Sequence, residues 1–89
     1  MKLDKNSIQE TIKDKIIEIA NTLGCDASNL QPNEVIPATG LIDSAGLLEL
    51  VAWYESHYDI KIDTSEITID NLGTIDSMAN FLLLRKNLS

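Results

Sequence analysis

The chain has 89 residues, with 14 acidic and 7 basic side chains and a formal net charge of -7 at pH 7. A chain of this length forms one domain that buries only about 60–65% of its unfolded surface, which leaves little room for an internal catalytic cleft. Its negative charge repels phosphate backbones and anionic headgroups, which argues against nucleic acid as a partner and favours basic protein surfaces. A single domain over residues 1–89 is therefore expected.

Neither a membrane span nor a disulfide is predicted. The longest uninterrupted apolar run, residues 50–54, has five residues, whereas a membrane-spanning helix needs about 20. The amino terminus has no signal-peptide core, so we expect a cytoplasmic protein without membrane insertion. Cys25 is the only cysteine, which excludes an internal disulfide and a cysteine-based metal cluster.

The first predicted helix is amphipathic. A Ser7–Glu10 capping-box pattern predicts its start, although Asp4 offers an earlier one, and Gly24 predicts its end. Apolar side chains follow at spacings of three and four, which places them on one helical face. This face consists of Ile8, Ile12, Ile16, Ile19 and Leu23.

A long connection over residues 24–43 follows the first helix. It contains two prolines, two glycines and turn-forming asparagines, which predicts an ordered loop. Because about 20 residues is long for a loop in a compact domain, the segment has room for one helical turn. The apolar side chains that would anchor it to the core are Leu30, Val35, Ile36 and Leu41.

The second predicted helix runs from Ser44 to about Tyr58 and has two distinct faces. At 100° per residue, one arc forms a core face that consists of Leu47, Leu50, Val51, Tyr54 and Tyr58. The opposite arc begins at Ser44 and continues through Leu48, Ala52, Glu55 and Glu49. An exposed leucine with two carboxylates suits a docking surface. In an arbitrary protein, the same pattern describes a scattered surface hydrophobe beside solvating glutamates.

Two further helices complete an all-α pattern. A short third helix is predicted at Asp63, whose side chain caps it together with Glu66. The fourth begins near Thr74. Its side chains expected to face the core are Ile75, Met78, Ala79, Leu82 and Leu83. The expected fold is a small four-helix bundle with a long loop between helices one and two and a short helix three.

The chain contains two Asp-Ser pairs, and each has a structural interpretation. At Asp43-Ser44, either residue can cap the second helix; if Asp43 is the cap, the Ser44 hydroxyl is left free. The pair Asp76-Ser77 falls inside the last helix and lacks the long upstream loop, so we interpret it as structural. The first pair is distinguished by its flanks, Gly40-Leu-Ile before it and Leu48-Glu-Leu after it.

The segment Gly40–Leu50, GLIDSAGLLEL, resembles the attachment site of the acyl carrier protein family, and the predicted helices occur in that family's order along the whole chain. The resemblance implies a 4′-phosphopantetheine arm on Ser44, supplied by coenzyme A and attached by a phosphopantetheinyl transferase. It also implies an acyl- or aminoacyl-loading ligase and downstream acyl-transferring enzymes as partners, and a monomeric carrier. By the same resemblance, Asp43 is expected to lie at the cofactor-binding site. The expected partner-binding residues are Leu48, Glu49, Ala52 and Glu55.

Three positions depart from the pattern of fatty-acid carriers. Ala45 replaces a larger apolar residue after the serine, while Gly46 and Ser56 stand where acids are common. The docking surface is therefore less acidic than in that pathway. The pattern Asp-Ser-x-Gly-x-x-Glu-Leu is similar to stand-alone D-alanyl and other aminoacyl carriers, and to carriers of specialised biosynthetic clusters.

An enzyme is not expected, and neither catalytic nor metal-binding residues are predicted. The only histidine, His57, lies thirteen residues from Ser44, about 20 Å along one helix and about 140° around it, so the two cannot form a dyad. The alternative function is a small helical adaptor that binds proteins through the second helix without modification. Detection of a phosphopantetheinyl adduct by mass spectrometry separates the two hypotheses.

Overall fold

A computed structural model describes residues 4–87 of the chain. It is all-helical over this range, without a β-strand. The all-α prediction is confirmed, and the long helices lie where periodicity predicts them. In chain order the elements are α1 (Lys5–Thr22), α2 (Ile36–Thr39), α3 (Ser44–Tyr58), a 3₁₀ turn (Thr64–Glu66), α4 (Ile69–Leu72) and α5 (Ile75–Asn87).

Helix α1 begins at the earlier of its two candidate starts. The Asp4 carboxylate accepts hydrogen bonds from the Ser7 backbone N–H and hydroxyl, both at 3.2 Å, so Asp4 is the cap and Ser7 lies in the first turn. The Ser7–Glu10 start is therefore wrong by one turn. Gly24 has φ of +78°, the left-handed conformation that glycine adopts readily, and the predicted end of the helix is confirmed.

The connection between α1 and α3 is ordered and contains the one-turn helix α2. Leu30 and Ile36 are buried as predicted, whereas Val35 and Leu41 are half-buried; Ala27 and Ile42 are also buried. The Ile36 N–H donates to the Gly73 carbonyl at 2.7 Å, which ties the loop to the α4–α5 junction. This anchoring fixes the backbone immediately before Ser44.

The short third helix is split into a 3₁₀ turn and α4. Asp63 and Glu66 form the predicted capping box, and Thr68 caps α4 through the Asn71 N–H. Arg85 of α5 holds this segment in place, because its guanidinium donates to the Lys61 carbonyl at 2.9 Å and pairs with the Glu66 carboxylate.

Helices α1 and α3 are antiparallel neighbours. Ile19 lies against Gly46 near one end of the pair, and Lys15 faces Glu49 one turn further along α3. The core lies between these helices, α5 and the anchored loop. Its fully buried larger side chains are Ile12, Ile16, Ile19, Ile36, Leu50, Tyr54, Ile75, Met78 and Leu82. The predicted core face of α3 is confirmed, with Leu47 and Tyr58 half-buried at its margins.

The buried ring of Tyr54 should make the stability of the fold depend on alkaline pH. The ring is fully buried and its hydroxyl donates to the Met78 carbonyl at 2.8 Å. Burial, with Tyr58 beside it, raises the pKa of Tyr54 well above the usual value of about 10. Its contribution is therefore fully present below about pH 10 and is lost as pH rises and the unfolded chain ionises.

Tyr54→Phe should flatten this alkaline loss of stability. At neutral pH the variant should be less stable by about 1 kcal/mol, because the hydrogen bond to Met78 is gone. Urea unfolding at about pH 7 and about pH 11 measures both effects. Tyr58→Phe is the comparison, because burial raises the pKa of Tyr58 as well but that ring is only half-buried, so it should flatten the loss less than Tyr54→Phe does. An equal alkaline loss in Tyr54→Phe and the wild type would contradict this role of Tyr54.

Candidate functional site

The site is built around the first residue of α3. Asp43 has extended backbone angles, and its Oδ1 accepts a hydrogen bond from the Gly46 N–H at 2.7 Å. Its carbonyl accepts the first helical bond, from the Leu47 N–H at 2.9 Å. Asp43 is therefore the N-cap, and Ser44 is the first helical residue. Of the two alternatives for this Asp-Ser pair, the structure has the one that leaves the serine free.

The Ser44 hydroxyl faces solvent. The residue is exposed, and none of the hydrogen bonds formed within residues 4–87 involves its Oγ. On one side the buried Ile42 anchors the chain, and on the other side the helix begins. A fixed backbone thus holds the Ser44 hydroxyl at the protein surface without a hydrogen-bond partner within residues 4–87.

The second Asp-Ser pair is engaged internally. Ser77 Oγ accepts from the Thr74 N–H at 3.0 Å and donates to the Thr74 carbonyl, while the Ser77 N–H donates to Thr74 Oγ1 at 2.9 Å. Asp76 forms an ion pair with Lys5 at 2.8 Å and accepts a hydrogen bond from Gln9. The structural interpretation of Asp76-Ser77 agrees with these contacts.

Two concave surfaces lie beside Ser44. A shallow depression of ≈ 270 Å³ is lined by Pro37, Ile42, Asp43, Ser44 and Leu47. Next to it, a mostly apolar cleft of ≈ 110 Å³ lies between α3 and the α4 region and is also bordered by Pro37 and Leu47. The remaining lining side chains of this cleft are Val51, Ile67, Thr68, Ile69 and Leu72.

The four predicted partner-binding side chains differ in how freely they are presented. Leu48 is 65% exposed and Ala52 is exposed. Glu49 is exposed, but its carboxylate lies 3.8 Å from Lys15 Nζ on α1. Glu55 is half-buried, and its Oε2 accepts a hydrogen bond from the Ile62 N–H at 2.9 Å. The exposed face of α3 is therefore more apolar, and less freely acidic, than the sequence alone indicates.

Gly46 is a packing residue. A Cβ atom at this position would lie 3.0 Å from Ile19 Cγ2 and 3.3 Å from Asp43 Oδ1, closer than ordinary van der Waals contact. The glycine is buried, so an acid at this position would not point to solvent. Close packing of α1 against α3 explains this departure from the pattern of fatty-acid carriers.

Sequence reasoning did not single out three residues near the site. Lys15 reaches α3 from the preceding helix, and Ile67 and Ile69 are 39% and 60% exposed beside the cleft. The sequence contains a signal only for the two isoleucines. They lie on either side of Thr68, the residue that caps α4, and do not follow the spacing of a buried helix face. The position of Lys15 depends on how two helices pack, which no local pattern contains.

The remaining chemical candidates form no further site within the described residues. His57 is exposed and stacks on Trp53, with ring centroids 4.9 Å apart. Across residues 4–87, no three His, Cys, Asp or Glu side chains are grouped as metal ligands. No helix in this part of the chain is long and apolar enough to cross a membrane.

Comparison with known proteins gives a consistent result. Residues 14–82 match the family model described as phosphopantetheine attachment site. The D-alanyl carrier protein of Streptococcus thermophilus is 32% identical over 68 residues, which cover 75% of this chain and 85% of that protein. Those of Streptococcus mutans and Streptococcus sanguinis are 31% and 32% identical, with the same coverage. No solved structure matches the chain significantly.

Proposed function

Because the chain belongs to the phosphopantetheine-attachment family of carrier proteins, we propose that its 4′-phosphopantetheine group is attached to Ser44. The observation that carries this assignment is the contrast between the two Asp-Ser pairs. Ser44 is exposed, and its hydroxyl makes no hydrogen bond within residues 4–87, whereas Ser77 closes a capping interaction with Thr74. A transferase can therefore reach the Ser44 oxygen without breaking a contact.

The start of α3 fits a phosphodiester. The first amides of a helix point outward, and the helix dipole favours negative charge there. Asp43, the nearest carboxylate in the sequence, is already bonded to the Gly46 N–H, which limits its repulsion of a phosphate. The depression beside Ser44 leaves space on its Pro37 and Leu47 side. When bound, the group supplies a thiol that holds cargo as a thioester.

We propose that the cargo is a small aminoacyl group. Two observations support this choice over a long acyl chain. The matched relatives are named D-alanyl carrier proteins, and the apolar cleft next to Ser44 measures ≈ 110 Å³. For comparison, an enclosed cavity of about 150 Å³ binds one benzene ring. The cleft in this conformation therefore shelters no long hydrocarbon, whereas an aminoacyl group needs no apolar shelter.

The proposed partners are a phosphopantetheinyl transferase, an aminoacyl-loading ligase and a downstream acyl-transferring enzyme. They would dock on the exposed face of α3, where Leu48 is the most prominent apolar side chain and Ala52 leaves room for a partner to approach closely. Glu49 and Glu55 lie at the edges of this face. A cytoplasmic location, a monomeric state and a single domain over residues 1–89 stay predictions.

A loading experiment tests the cargo. The chain is first incubated with coenzyme A, magnesium and a broad-specificity transferase, and then with ATP, D-alanine and a D-alanine-activating ligase. Intact-mass measurement should show one phosphopantetheinyl adduct and then one alanyl adduct, which hydroxylamine removes because it cleaves thioesters. Chain that was never exposed to coenzyme A is the control and should gain no alanine.

Two other outcomes would change the assignment. A holo chain that accepts a long acyl group from an acyl ligase but no amino acid from several aminoacyl ligases would contradict the aminoacyl cargo. If no phosphopantetheinyl adduct forms with several transferases, attachment fails and the unmodified helical adaptor becomes the better hypothesis.

A further inference from the structure

Lys15 brings a positive charge from α1 to the docking face of α3. Its Nζ lies 3.4 Å from Glu18 Oε2 and 3.8 Å from Glu49 Oε2. The lysine side chain is only 17% exposed, whereas those of Glu18 and Glu49 are 69% and 61% exposed. The lysine side chain is thus mostly covered, and its ammonium group lies near one carboxylate of each helix.

We propose that Lys15 is a positioning residue of the docking surface, which engages the Glu49 carboxylate and weakens its attraction for a partner's cation. This inference rests on the proposed function, because it concerns the face that a transferase would meet beside Ser44. A basic side chain on the partner must compete with Lys15 for Glu49. It therefore gains less from Glu49 than from a free carboxylate.

The burial of Lys15 determines the sign of this effect. A fully exposed lysine would offer its charge to an acidic partner, but the Lys15 side chain is mostly buried and its Nζ lies near two carboxylates. On the same face, Glu55 is bound to the Ile62 N–H. Both predicted acidic contacts are thus engaged within the chain, while Leu48 stays exposed. The partner that this surface fits is a transferase that makes apolar contact with Leu48 and carries a basic side chain, which competes with Lys15 for Glu49.

If Lys15 acts on docking, its substitution should change the association rate, whereas a purely structural role would change the folding stability instead. Ion pairs with exposed carboxylates contribute little to folding stability. Charges near an interface act mainly on the association rate, and the 3.8 Å separation is well inside the Debye length of about 8 Å at physiological ionic strength. Lys15→Gln should therefore change how fast a partner docks while the melting temperature stays nearly constant.

The test is a double-mutant cycle on the rate of phosphopantetheinylation. The rate is measured at low salt, with coenzyme A in excess and a limiting amount of transferase. Lys15→Gln should raise kcat/KM by about two- to fivefold, because Glu49 becomes available to the basic partner. In a Glu49→Gln background the same substitution should have almost no effect. Lys13→Gln is the matched control, since it removes one charge from α1 on the side that faces Leu30 and Pro32.

Each outcome supports or overturns the inference. An acceleration that depends on Glu49, exceeds that of Lys13→Gln and fades toward 1 M salt supports it. Equal acceleration with and without Glu49, or none, overturns the role of Lys15 while leaving attachment at Ser44 intact. If the wild-type chain is not modified at all, the proposed function itself fails, and the role of Lys15 fails with it.

Discussion

Ser44→Ala is expected to abolish phosphopantetheinylation completely, whereas Ser77→Ala should be modified at the wild-type rate. The Ser44 hydroxyl is the proposed acceptor and is free and exposed, but the Ser77 hydroxyl is bonded to Thr74 on both its donor and acceptor sides. Incubation of each variant with coenzyme A, magnesium and a transferase, followed by intact-mass measurement, shows the difference as the presence or absence of one adduct.

Stability should respond in the opposite order, which provides an internal control. Ser77→Ala removes the acceptor for the Thr74 N–H at the start of α5, so the free energy of unfolding should fall by about 1 kcal/mol. Ser44→Ala removes no hydrogen bond within the described residues, and the cap is Asp43, so stability should be nearly unchanged. An adduct that persists on Ser44→Ala would contradict the site assignment.

Leu50→Ala is expected to lower the free energy of unfolding by about 2–4 kcal/mol, through lost transfer energy and the cavity left behind. Leu50 lies on the core face of α3, and its side chain is fully buried. Since native domains are stable by only about 5–15 kcal/mol, the variant should lose a large share of its stability. Urea denaturation measures the difference directly.

Leu48→Ala is the matched comparison, because it makes the same chemical change two residues away. Leu48 is 65% exposed, so the substitution should shift stability by less than about 0.5 kcal/mol. It should instead slow modification by the transferase, since a docking contact is lost. If Leu48→Ala were the more destabilising of the two, the assigned faces of α3 would be wrong.

The sequence predicts those features of the site that depend on local chemistry. The helical phase of α3 follows from the 3.6-residue period, which places Leu50 inside and Leu48 outside. The cap is local as well, but the sequence offers both Asp43 and Ser44, and the structure has the Asp43 carboxylate bonded to the amide three residues later. The resemblance of residues 40–50 adds the identity of the group that we propose for Ser44.

The sequence does not predict that the two glutamates of the proposed docking face are engaged within the chain, because their partners come from other segments. Lys15 reaches Glu49 across 34 positions of the chain, and Glu55 binds an amide seven residues further along, after α3 has ended. Both glutamates lie on the correct side of the helix, but neither is free. Similarly, the close approach of Ile19 to Gly46 exists only after α1 and α3 have packed.

The boundaries that differ also have physical explanations. Two caps compete at the start of α1, and the earlier one adds a helical turn that supports the Lys5–Asp76 ion pair. The third helix divides because Thr68 caps a new helix directly after the 3₁₀ turn. Such competition between neighbouring caps is settled by tertiary contacts, which the sequence pattern alone does not rank.

The central claim, attachment of the group at Ser44, is tested most directly by locating the adduct in the wild-type chain. Cleavage after glutamate releases residues 35–49, in which Thr39 and Ser44 are the only hydroxyl side chains, and residues 67–89, which contain Ser77. After incubation with coenzyme A and a transferase, fragmentation of these peptides should place the single phosphopantetheinyl group on Ser44. An adduct on Thr39, on the peptide 67–89 or on any other segment would contradict the account.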